Sequence, residues 1–496
     1  MGLPQAPGLE TDRTTPSAPG TADGDDRPGR RGLRARLLLP VLSLAMILVS
    51  VLLTLVVPLT GQIADQLGAS PEAAGWVITS TLLAAAVFTP LLGRLGDIYG
   101  PRPVLIGILV TLSLAALLAA TTTSIGLLIV ARVMQGTSYG IFPLAMSVLR
   151  ADRQGARLNS AMAVVSGMLA VGGGVGLVST GLLTQAGGDY HRVFWLAFVV
   201  CLLTLAGALV AVPRGRSGAG GRVDWAGAAL LGLGLMALLL PISQGHAWGW
   251  GSPRTIGLFA ASVVLLGLWL VMQRRLRHPL VAPRMLTHRP ILVVNLAGMG
   301  VGTAMFLAFL GVADYVQTDR AEAGYGFSAS VMATSAVYLL PGTVAAAIVS
   351  QFAGRVVNRL GARATLVTGA LLGALGFVLL ALGHSVSWGV VAATTVLNCG
   401  VSLIFATLPS LLADHVPASH TGIANSVNSI ARSVGSSVAS AFIATLLAST
   451  VLPATGHPGE WAYTLIFGLG ALVLLVTAAT VTAGLRGARA ETLATA

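Results

Sequence analysis

The most regular charged pattern in the chain is a ten-residue segment, GRLGDIYGPR, whose single carboxylate is Asp97. Arginines lie three residues before and five residues after that carboxylate. An Asp in this position can pair with a guanidinium and can accept hydrogen bonds from the N-terminal amides of a neighbouring helix. Such a contact forms reversibly and can latch two helices together; the alternative is a helix-capping Asp in a basic loop. The candidate latch residues are Gly93, Arg94, Gly96, Asp97, Gly100 and Arg102.

A second segment, GRVVNRLGAR, repeats that spacing later in the chain. Both segments fit the pattern G-R-x-x-[D/N]-x-x-G-x-R, and duplication at equivalent loops is how many secondary transporters are built. Asn358 stands where the first copy has its acid, so we expect this copy to latch more weakly, because an amide carries no charge. The residues of the second copy are Gly354, Arg355, Asn358, Gly361 and Arg363.

Two arginines, Arg132 and Arg432, lie inside apolar runs. A guanidinium within a membrane is costly unless it pairs or faces a water-filled cavity. We therefore predict that Arg132 faces a functional cavity, with snorkelling to the surface as the alternative. For Arg432 two interpretations stay open, a hydrogen-bonded seam between helices and a place on the substrate path. The candidate cavity or coupling residues are Arg132, Gln135, Gly136, Asp314, Asn425, Asn428 and Arg432.

Asp314 is the one acid inside an apolar run, and Tyr315 and Gln317 follow it closely. A carrier that exchanges protons needs a titratable group within the membrane, which makes Asp314 a candidate coupling acid. The alternative is an interfacial Asp in contact with water.

No catalytic or metal-binding constellation is evident in the sequence. The eight histidines are scattered, and the run VGGGVG lacks the Lys and the preceding strand of a phosphate loop. We therefore expect no enzymatic activity, no metal, no cofactor and no ATP-driven step. The net charge of +12 could suggest nucleic acid, but the arginines lie in short loops between apolar runs, so we expect no nucleic-acid partner.

The elements that position these residues follow from the composition. Hydrophobic residues make up 55% of the chain and charged residues 9%, against roughly 25% charged in a soluble domain. Lipid must therefore be the main solvent, and each span needs about 20 apolar residues. We predict an all-α integral membrane protein with fourteen spans, at 37–59, 74–92, 103–121, 125–149, 158–183, 193–212, 225–242, 255–272, 291–316, 329–351, 364–382, 388–412, 422–447 and 462–485.

The distribution of arginine predicts the orientation of these spans. The 29 basic residues are all Arg. With a cytoplasmic N-terminus, 24 of them fall in cytoplasmic segments and three in external ones. Because positively charged loops stay inside, we predict that both termini are cytoplasmic.

The repeated segment divides the chain into two pseudo-symmetric halves of six helices, at 37–212 and 290–485. Two linker helices with their flanking cytoplasmic loops occupy 213–289. A cytoplasmic tail rich in Pro, Gly, Asp and Thr, at 1–36, is predicted to be disordered, and a short cytoplasmic tail follows at 486–496.

Four motifs together resemble the major facilitator superfamily. GRLGDIYGPRP is similar to its signature loop, and LLIVARVMQGTSYG is similar to its span-4 motif. VDWAGAALLGLGL and TGIANSVNSIARSVGSS resemble the fourteen-span drug:proton antiporter branch, the EmrB/QacA type. The resemblance runs from the first span to the last. It implies a bundle of fourteen helices that works by alternating access, with the loop around Asp97 as a latch.

The implied function is a secondary active transporter of a bacterial plasma membrane that exports hydrophobic or amphipathic drugs or natural products. Its partners would be such a substrate, the lipid bilayer and, in an antiporter, protons. Two departures leave proton exchange open, because Val49 and Leu177 stand where relatives carry Asp and Pro. The alternatives are a dedicated metabolite carrier that is not proton-coupled and a membrane sensor or scaffold that transports nothing.

Overall fold

The computed structural model describes residues 28–56, 59–184, 188–214, 224–276, 279–417, 420–453 and 455–485. The predicted C-terminal tail and residues 1–27 of the predicted N-terminal tail lie outside these ranges. The rest of that N-terminal tail belongs to the first helix, which begins at Pro28, nine residues before the predicted span.

Fourteen helices in the described part of the chain are long and apolar enough to cross a membrane, as predicted from the sequence. We number them α1 to α14 in chain order. Twelve are continuous: α1 Pro28–Thr54, α2 Pro71–Tyr99, α3 Pro101–Thr121, α5 Gly155–Leu183, α6 His191–Ala211, α7 Trp225–Trp248, α8 Pro253–Arg275, α9 Arg289–Gln317, α11 Ala362–Gly383, α12 Ser387–His415, α13 Thr421–Ser449 and α14 Glu460–Gly484.

The other two spanning helices change their hydrogen-bond register. Helix α4 consists of Ile125–Gln135, a 3-10 segment at Gly136–Gly140 and Ile141–Asp152. Helix α10 consists of Val331–Ala333, a π-helical segment at Thr334–Leu339 and Leu340–Leu360. Such local changes of register are found where a helix bends or lines a functional site. Three short helices, Thr60–Leu67, Pro283–Thr287 and Arg320–Ala323, lie between spans.

Local signals in the sequence explain several helix boundaries. Helices α2 and α8 each begin with a Ser-Pro cap, in which Ser70 and Ser252 accept a hydrogen bond from the amide three residues later and Pro occupies the first helical position. Asp224 caps α7 by accepting from the amide of Gly227 at 2.8 Å. This carboxylate needs no functional role, because it satisfies an otherwise unpaired amide.

The two halves have equivalent packing. In the first half α1 packs on α5 and α6, and α3 packs on α6. In the second half α9 packs on α13 and α14, and α11 packs on α14. One hydrophobic core lies within 38–212, and a second is formed mainly by 228–485. The structure therefore has the pseudo-symmetric pair of six-helix units that the repeated segment predicts.

The halves meet where α5 packs on α10 and α12, and where α13 packs on α2 and α4. Linker helix α7 packs on both α2 and α13 and so covers one of these seams. Helix α8 packs chiefly on α7, and its outer face is bare, with Val263 73% exposed. An apolar face of this kind suits contact with lipid acyl chains.

Candidate functional site

A cavity of about 290 Å³ lies between the two halves. On α2 its wall is formed by residues before position 84, and on α10 by Leu339 and Thr343, so it lies away from the repeated segments at 93–102 and 354–363. We call the end of the bundle that carries these two segments the arginine-rich end. The wall is mainly aliphatic and aromatic, with hydroxyl and amide groups among these side chains; examples are Ser50, Thr79, Leu239, Phe306, Asn398 and Ser437.

A smaller chamber of about 80 Å³ continues the cavity towards the arginine-rich end. The two spaces share wall residues, among them Ser50, Leu82 and Phe306, so they form one continuous path. Arg432 of α13 lines this deep chamber together with Phe142, Tyr139 and Phe405. The candidate Arg432 is therefore on the cavity wall.

Asp97 joins the two halves at the arginine-rich end. Its carboxylate, 7% exposed, accepts hydrogen bonds from the backbone amides of Gly422 and Ile423, each at 3.1 Å. These amides form the first turn of α13, where the helix dipole favours a negative charge. A Cβ at Gly93 would overlap Ser426 Oγ and lie 3.0 Å from Gly422 O, so α2 and α13 approach as closely as glycine allows.

Arg150, at the end of α4, makes a second bridge between the halves at this end. Its guanidinium donates to the Ala413 and Val416 carbonyls, both at 2.8 Å, and to Thr421 Oγ1 at 2.7 Å. These acceptors end α12 and begin α13, so one side chain of the first half holds two helices of the second. The sequence carries no signal for this role, because Arg150 looks like any other basic residue in a predicted cytoplasmic loop.

The second copy of the repeat also crosses between the halves. Asn358 donates to Ala156 O at 3.1 Å and to Ser160 Oγ at 3.3 Å, and accepts from Asn159 at 3.3 Å. Its acceptors lie in the first turns of α5. A Cβ at Gly354 would overlap the Ser160 backbone. The contact between α10 and α5 therefore resembles the contact between α2 and α13, but its hydrogen-bonding side chains are neutral and more exposed.

The last arginine of each copy has the same role within its own half. Arg102 donates to Leu209 O, at 2.9 Å, near the end of α6. Arg363 donates to Thr482 O at 2.7 Å and to Leu485 O at 3.4 Å, at the end of α14. A cation at unpaired carbonyls of a helix C-terminus is favourable. These two residues fasten the sixth helix of each half and do not cross between halves.

Gly100 and Gly361 form the turns after α2 and α10 with φ of 91° and 82°. Only glycine adopts this conformation readily, which explains its place in both copies. Gly96 faces α4, because a Cβ there would overlap the Leu144 side chain.

The second residue of each copy makes weaker contacts. Burial and the Arg94 guanidinium lower the pKa of His420, which stands at the N-cap of α13. In the second copy the Arg355 guanidinium lies 5.2 Å from the ring of Phe352 and is exposed.

Comparison with known proteins places this geometry in a family. The model of the Major Facilitator Superfamily matches residues 42–440 and 291–494, which together cover nearly all of the described chain. The chain belongs to the Major Facilitator Superfamily. The prediction from the four sequence motifs is therefore confirmed.

Curated relatives of this superfamily member include two antibiotic exporters. It is 28% identical to the tetracenomycin C resistance and export protein of Streptomyces glaucescens over 359 residues. This aligned part covers 69% of this chain and 64% of that relative. The chain is 27% identical over 415 residues to the cephamycin export protein of Amycolatopsis lactamdurans, over 80% and 81% of the two chains. The aligned part thus spans less than two thirds of the first relative's length.

A solved structure has the same fold. The human organic anion transporter MFSD10 superposes with a TM-score of 0.64 at 15% identity, covering 92% of this chain and 100% of that one. At this identity the likeness establishes the architecture alone.

The sequence predicts that Arg132 faces the cavity, but in the structure it lies inside the first half. It is fully buried within the first half and donates to Val77 O and Leu52 O, both at 2.8 Å, and to Gln135 Oε1 at 2.6 Å. It lines neither the cavity nor the deep chamber. The expectation of a cavity-facing side chain is wrong for this conformation, because α1 and α2 offer carbonyl groups on the inner side of α4. Gly136 lets α4 approach α2, since a Cβ would lie 2.9 Å from Thr81 O.

Asn425 and Asn428 pack inside the second half. Asn425 donates to Thr421 O at 2.9 Å on its own helix. Asn428 donates to Val294 O of α9 at 3.0 Å and accepts from Arg432 at 3.0 Å. The Asn425 bond lies within α13, and the bond from Asn428 to Val294 joins α13 to α9. Both side chains are buried, and neither lines the cavity.

Asp314 lies at the end of α9 away from the arginine-rich end, and it is exposed. Its Oδ2 accepts a hydrogen bond from Tyr463 Oη at 2.5 Å. It does not line the cavity. The structure does not bring this acid near the other candidate residues.

The two positions that depart from the family pattern both lie on the cavity wall. Val49 lines the deep chamber, and Leu177 lines the main cavity. Neither supplies a charge or a kink, although the resemblance to the antiporter branch implies Asp and Pro at these positions. Among the residues that the structure describes, no group of three or more His, Cys, Asp or Glu side chains could hold a metal ion.

Proposed function

We propose that this protein is a secondary active exporter of hydrophobic or amphipathic small molecules in the plasma membrane, working by alternating access. The observation that carries the proposal is the cavity between the halves, closed at the arginine-rich end by side chains that cross from one half to the other. Asp97, Arg150 and Asn358 are such crossings. Breaking them would let the halves rock and expose the cavity to the other side of the membrane.

The lining of the cavity supports an amphipathic substrate. Its wall is mainly apolar with scattered hydroxyl and amide groups, as in sites for drug-sized molecules. The two relatives are named as export proteins for antibiotics. An antibiotic-like natural product is therefore the substrate class that we propose.

The proposed orientation places the arginine-rich end and both termini in the cytoplasm, because 24 arginines then lie inside and three outside. The cavity accordingly faces outward in this conformation. A topology reporter inserted at Gly251, in the turn between α7 and α8, should report an external location. A cytoplasmic report there would reverse the proposed orientation of the second half or remove the two linker spans.

One observation favours a carrier without proton exchange as the second candidate. No Asp or Glu is among the described residues that line the cavity or the deep chamber. Asp314 remains the proposed coupling acid if antiport occurs. Accumulation driven by a pH gradient and lost in Asp314→Asn would support that role; flux indifferent to pH and to this substitution would reject it.

Transport itself can be tested with purified protein in liposomes. A fluorescent amphipathic probe is supplied with an imposed pH gradient or, separately, an imposed membrane potential. We expect flux above that of protein-free liposomes, abolished by Ser437→Trp in the cavity wall and kept by Val263→Trp on the bare face of α8. Equal flux in both variants, or none in the wild type, would contradict the proposal.

A further inference from the structure

Arg432 gives the substrate path one uncompensated positive charge. It is the only charged side chain among the described residues that line the two chambers. No carboxylate in the described part of the chain lies within ion-pairing distance of it. In a cavity of low polarity such a charge is costly, and an ionised ligand group would relieve the cost.

The hydrogen bonds of Arg432 do not explain its position. Nη1 donates to Asn428 Oδ1 at 3.0 Å and Nη2 donates to Ser429 Oγ at 2.9 Å. Both partners lie one turn earlier on the same helix, so these bonds orient the guanidinium without joining two helices. The interpretation of Arg432 as part of a hydrogen-bonded seam between helices therefore loses its main support.

Aromatic rings fix the guanidinium at the end of the path. Its Cζ lies 4.7 Å from the ring centre of Phe142 in the first half and 5.4 Å from that of Phe405 in the second. Such cation–π contacts hold a cation without neutralising it. The planar guanidinium keeps unused donor capacity for a carboxylate, to which it binds more strongly than to neutral acceptors.

We propose that this cavity selects amphipathic anions, with an ionised carboxylate at Arg432 in the deep chamber and the apolar body in the main cavity. The inference rests on the proposed function, whose substrate class it narrows. It narrows that class to organic acids, because the one charge in the described wall is positive. Val49 fits this reading, since it leaves the deep chamber without an acid that would compete for Arg432.

Binding to purified protein in detergent tests this inference without any transport. The probe is fluorescent 9-anthracenecarboxylate, compared with its uncharged methyl ester and with 9-anthracenemethylammonium. We expect the wild type to bind the carboxylate at least tenfold more tightly than the ester, with the ammonium weakest. Arg432→Gln should reduce carboxylate affinity tenfold or more and change ester affinity less than twofold, and Arg432→Lys should recover part of the loss.

The matched control is Arg254→Gln, because Arg254 lies over the Trp248 ring at the far end of the linker hairpin. It should leave all three affinities unchanged. If Arg432→Gln does not fold, the relative affinities of the wild type for the three probes still test whether the cavity prefers an anion. Equal or weaker binding of the carboxylate, no binding of any probe, or equal losses for carboxylate and ester in Arg432→Gln would overturn the inference. Carboxylate binding without flux in liposomes would instead reject the proposed function alone.

Discussion

At the scale of single residues, the contact between Asp97 and the first turn of α13 bears most directly on function. Hydrogen bonds to a charged group contribute about 1.5–3 kcal/mol each, and a charge at a helix N-terminus up to about 2 kcal/mol. Conformations of a transporter differ by only a few kcal/mol. One carboxylate can therefore bias the equilibrium between states substantially.

Asp97→Asn should favour opening of the arginine-rich end. The amide keeps the shape of the side chain but loses its charge, which we expect to cost the closed state about 1–2 kcal/mol, or a five- to thirtyfold shift in population. The reaction rate of a cysteine at buried Thr89 with a polar thiol reagent should rise accordingly. Asp152→Asn removes an exposed carboxylate at the same end, which pairs with its neighbour Arg153 at 3.4 Å and so does not bridge the halves, and it should have no effect. An unchanged rate in Asp97→Asn would contradict the latch.

Arg132→Leu should reduce stability and leave substrate recognition unchanged. The substitution removes two hydrogen bonds that join α4 to α1 and α2, together with a third inside α4, and should cost about 2–4 kcal/mol. Thermal unfolding in detergent should begin at a clearly lower temperature, while the remaining folded protein binds ligand with wild-type affinity. A normal unfolding temperature together with a loss of ligand affinity would contradict this structural role and would indicate that Arg132 contacts the ligand.

How much of the site the sequence predicts depends on whether a residue's partner can be inferred. Asp97 could be predicted, because its spacing from Arg94 and Arg102 repeats elsewhere in the chain. Arg132 and Arg150 could not be assigned, since their partners are backbone carbonyls of distant helices that carry no sequence signal. If α4 were rotated by half a turn about its axis, Arg132 would face the cavity and not α1 and α2, and the sequence of α4 alone does not determine this rotation.

At the scale of helices, the α5–α10 seam is as close as side chains permit. Gly167, Gly174 and Gly181 recur every seventh residue on α5 and all face α10. A Cβ at Gly167 would overlap Ser350, and one at Gly174 would overlap Thr343. Small residues at this spacing allow two helices to pack along their whole length within lipid.

Gly167→Ala should therefore destabilise the closed seam. Overpacking typically costs about 1–3 kcal/mol, and the overlap here is with a Cβ that cannot move without its helix. We expect a lower unfolding temperature and at least a fivefold loss of transport. Gly107→Ala on α3 is the matched control, because a Cβ there meets nothing within 4 Å. Equal behaviour of the two variants would show that α5 and α10 do not need this contact.

Linker helix α7 contributes to the cavity as well as joining the halves. Leu239 and Ser243 line the cavity, and Ser243 Oγ lies 3.5 Å from Thr79 Oγ1 of α2. The hydropathy pattern predicts the helix, but its contact with α2 and α13 has no counterpart in the repeat. The sequence therefore predicts α7 and α8 as linker helices but gives no sign that α7 lines the cavity.

Ser243→Trp should impair transport by filling the cavity from the α7 side. We expect at least a tenfold fall in flux with little change in unfolding temperature. Val263→Trp places the same side chain on the bare face of α8, where it should lie in lipid and leave flux unchanged. Normal flux in Ser243→Trp would show that α7 is only a connection.

At the scale of the whole molecule, the charge of the cavity bears on the driving force. Moving one negative charge out of a cell is favoured by about 2.3 kcal/mol per 100 mV of inside-negative potential. The proposed export of an anion could thus be driven by the potential alone. A cavity wall without Asp or Glu among its described residues is consistent with this mode, and Val49 brings no acid into the deep chamber.

The central claim is that the two halves rock about the cavity. The most direct test measures two distances between spin labels, in protein with Cys201 and Cys399 replaced by Ala. One pair of labelled cysteines replaces Gln154 and Arg359 at the arginine-rich end, and the other replaces Asp65 and Trp388 at the opposite end, all four exposed. We predict that ligand or Asp97→Asn lengthens the first distance and shortens the second in the same molecules. Two fixed distances, unaffected by either change, would contradict alternating access.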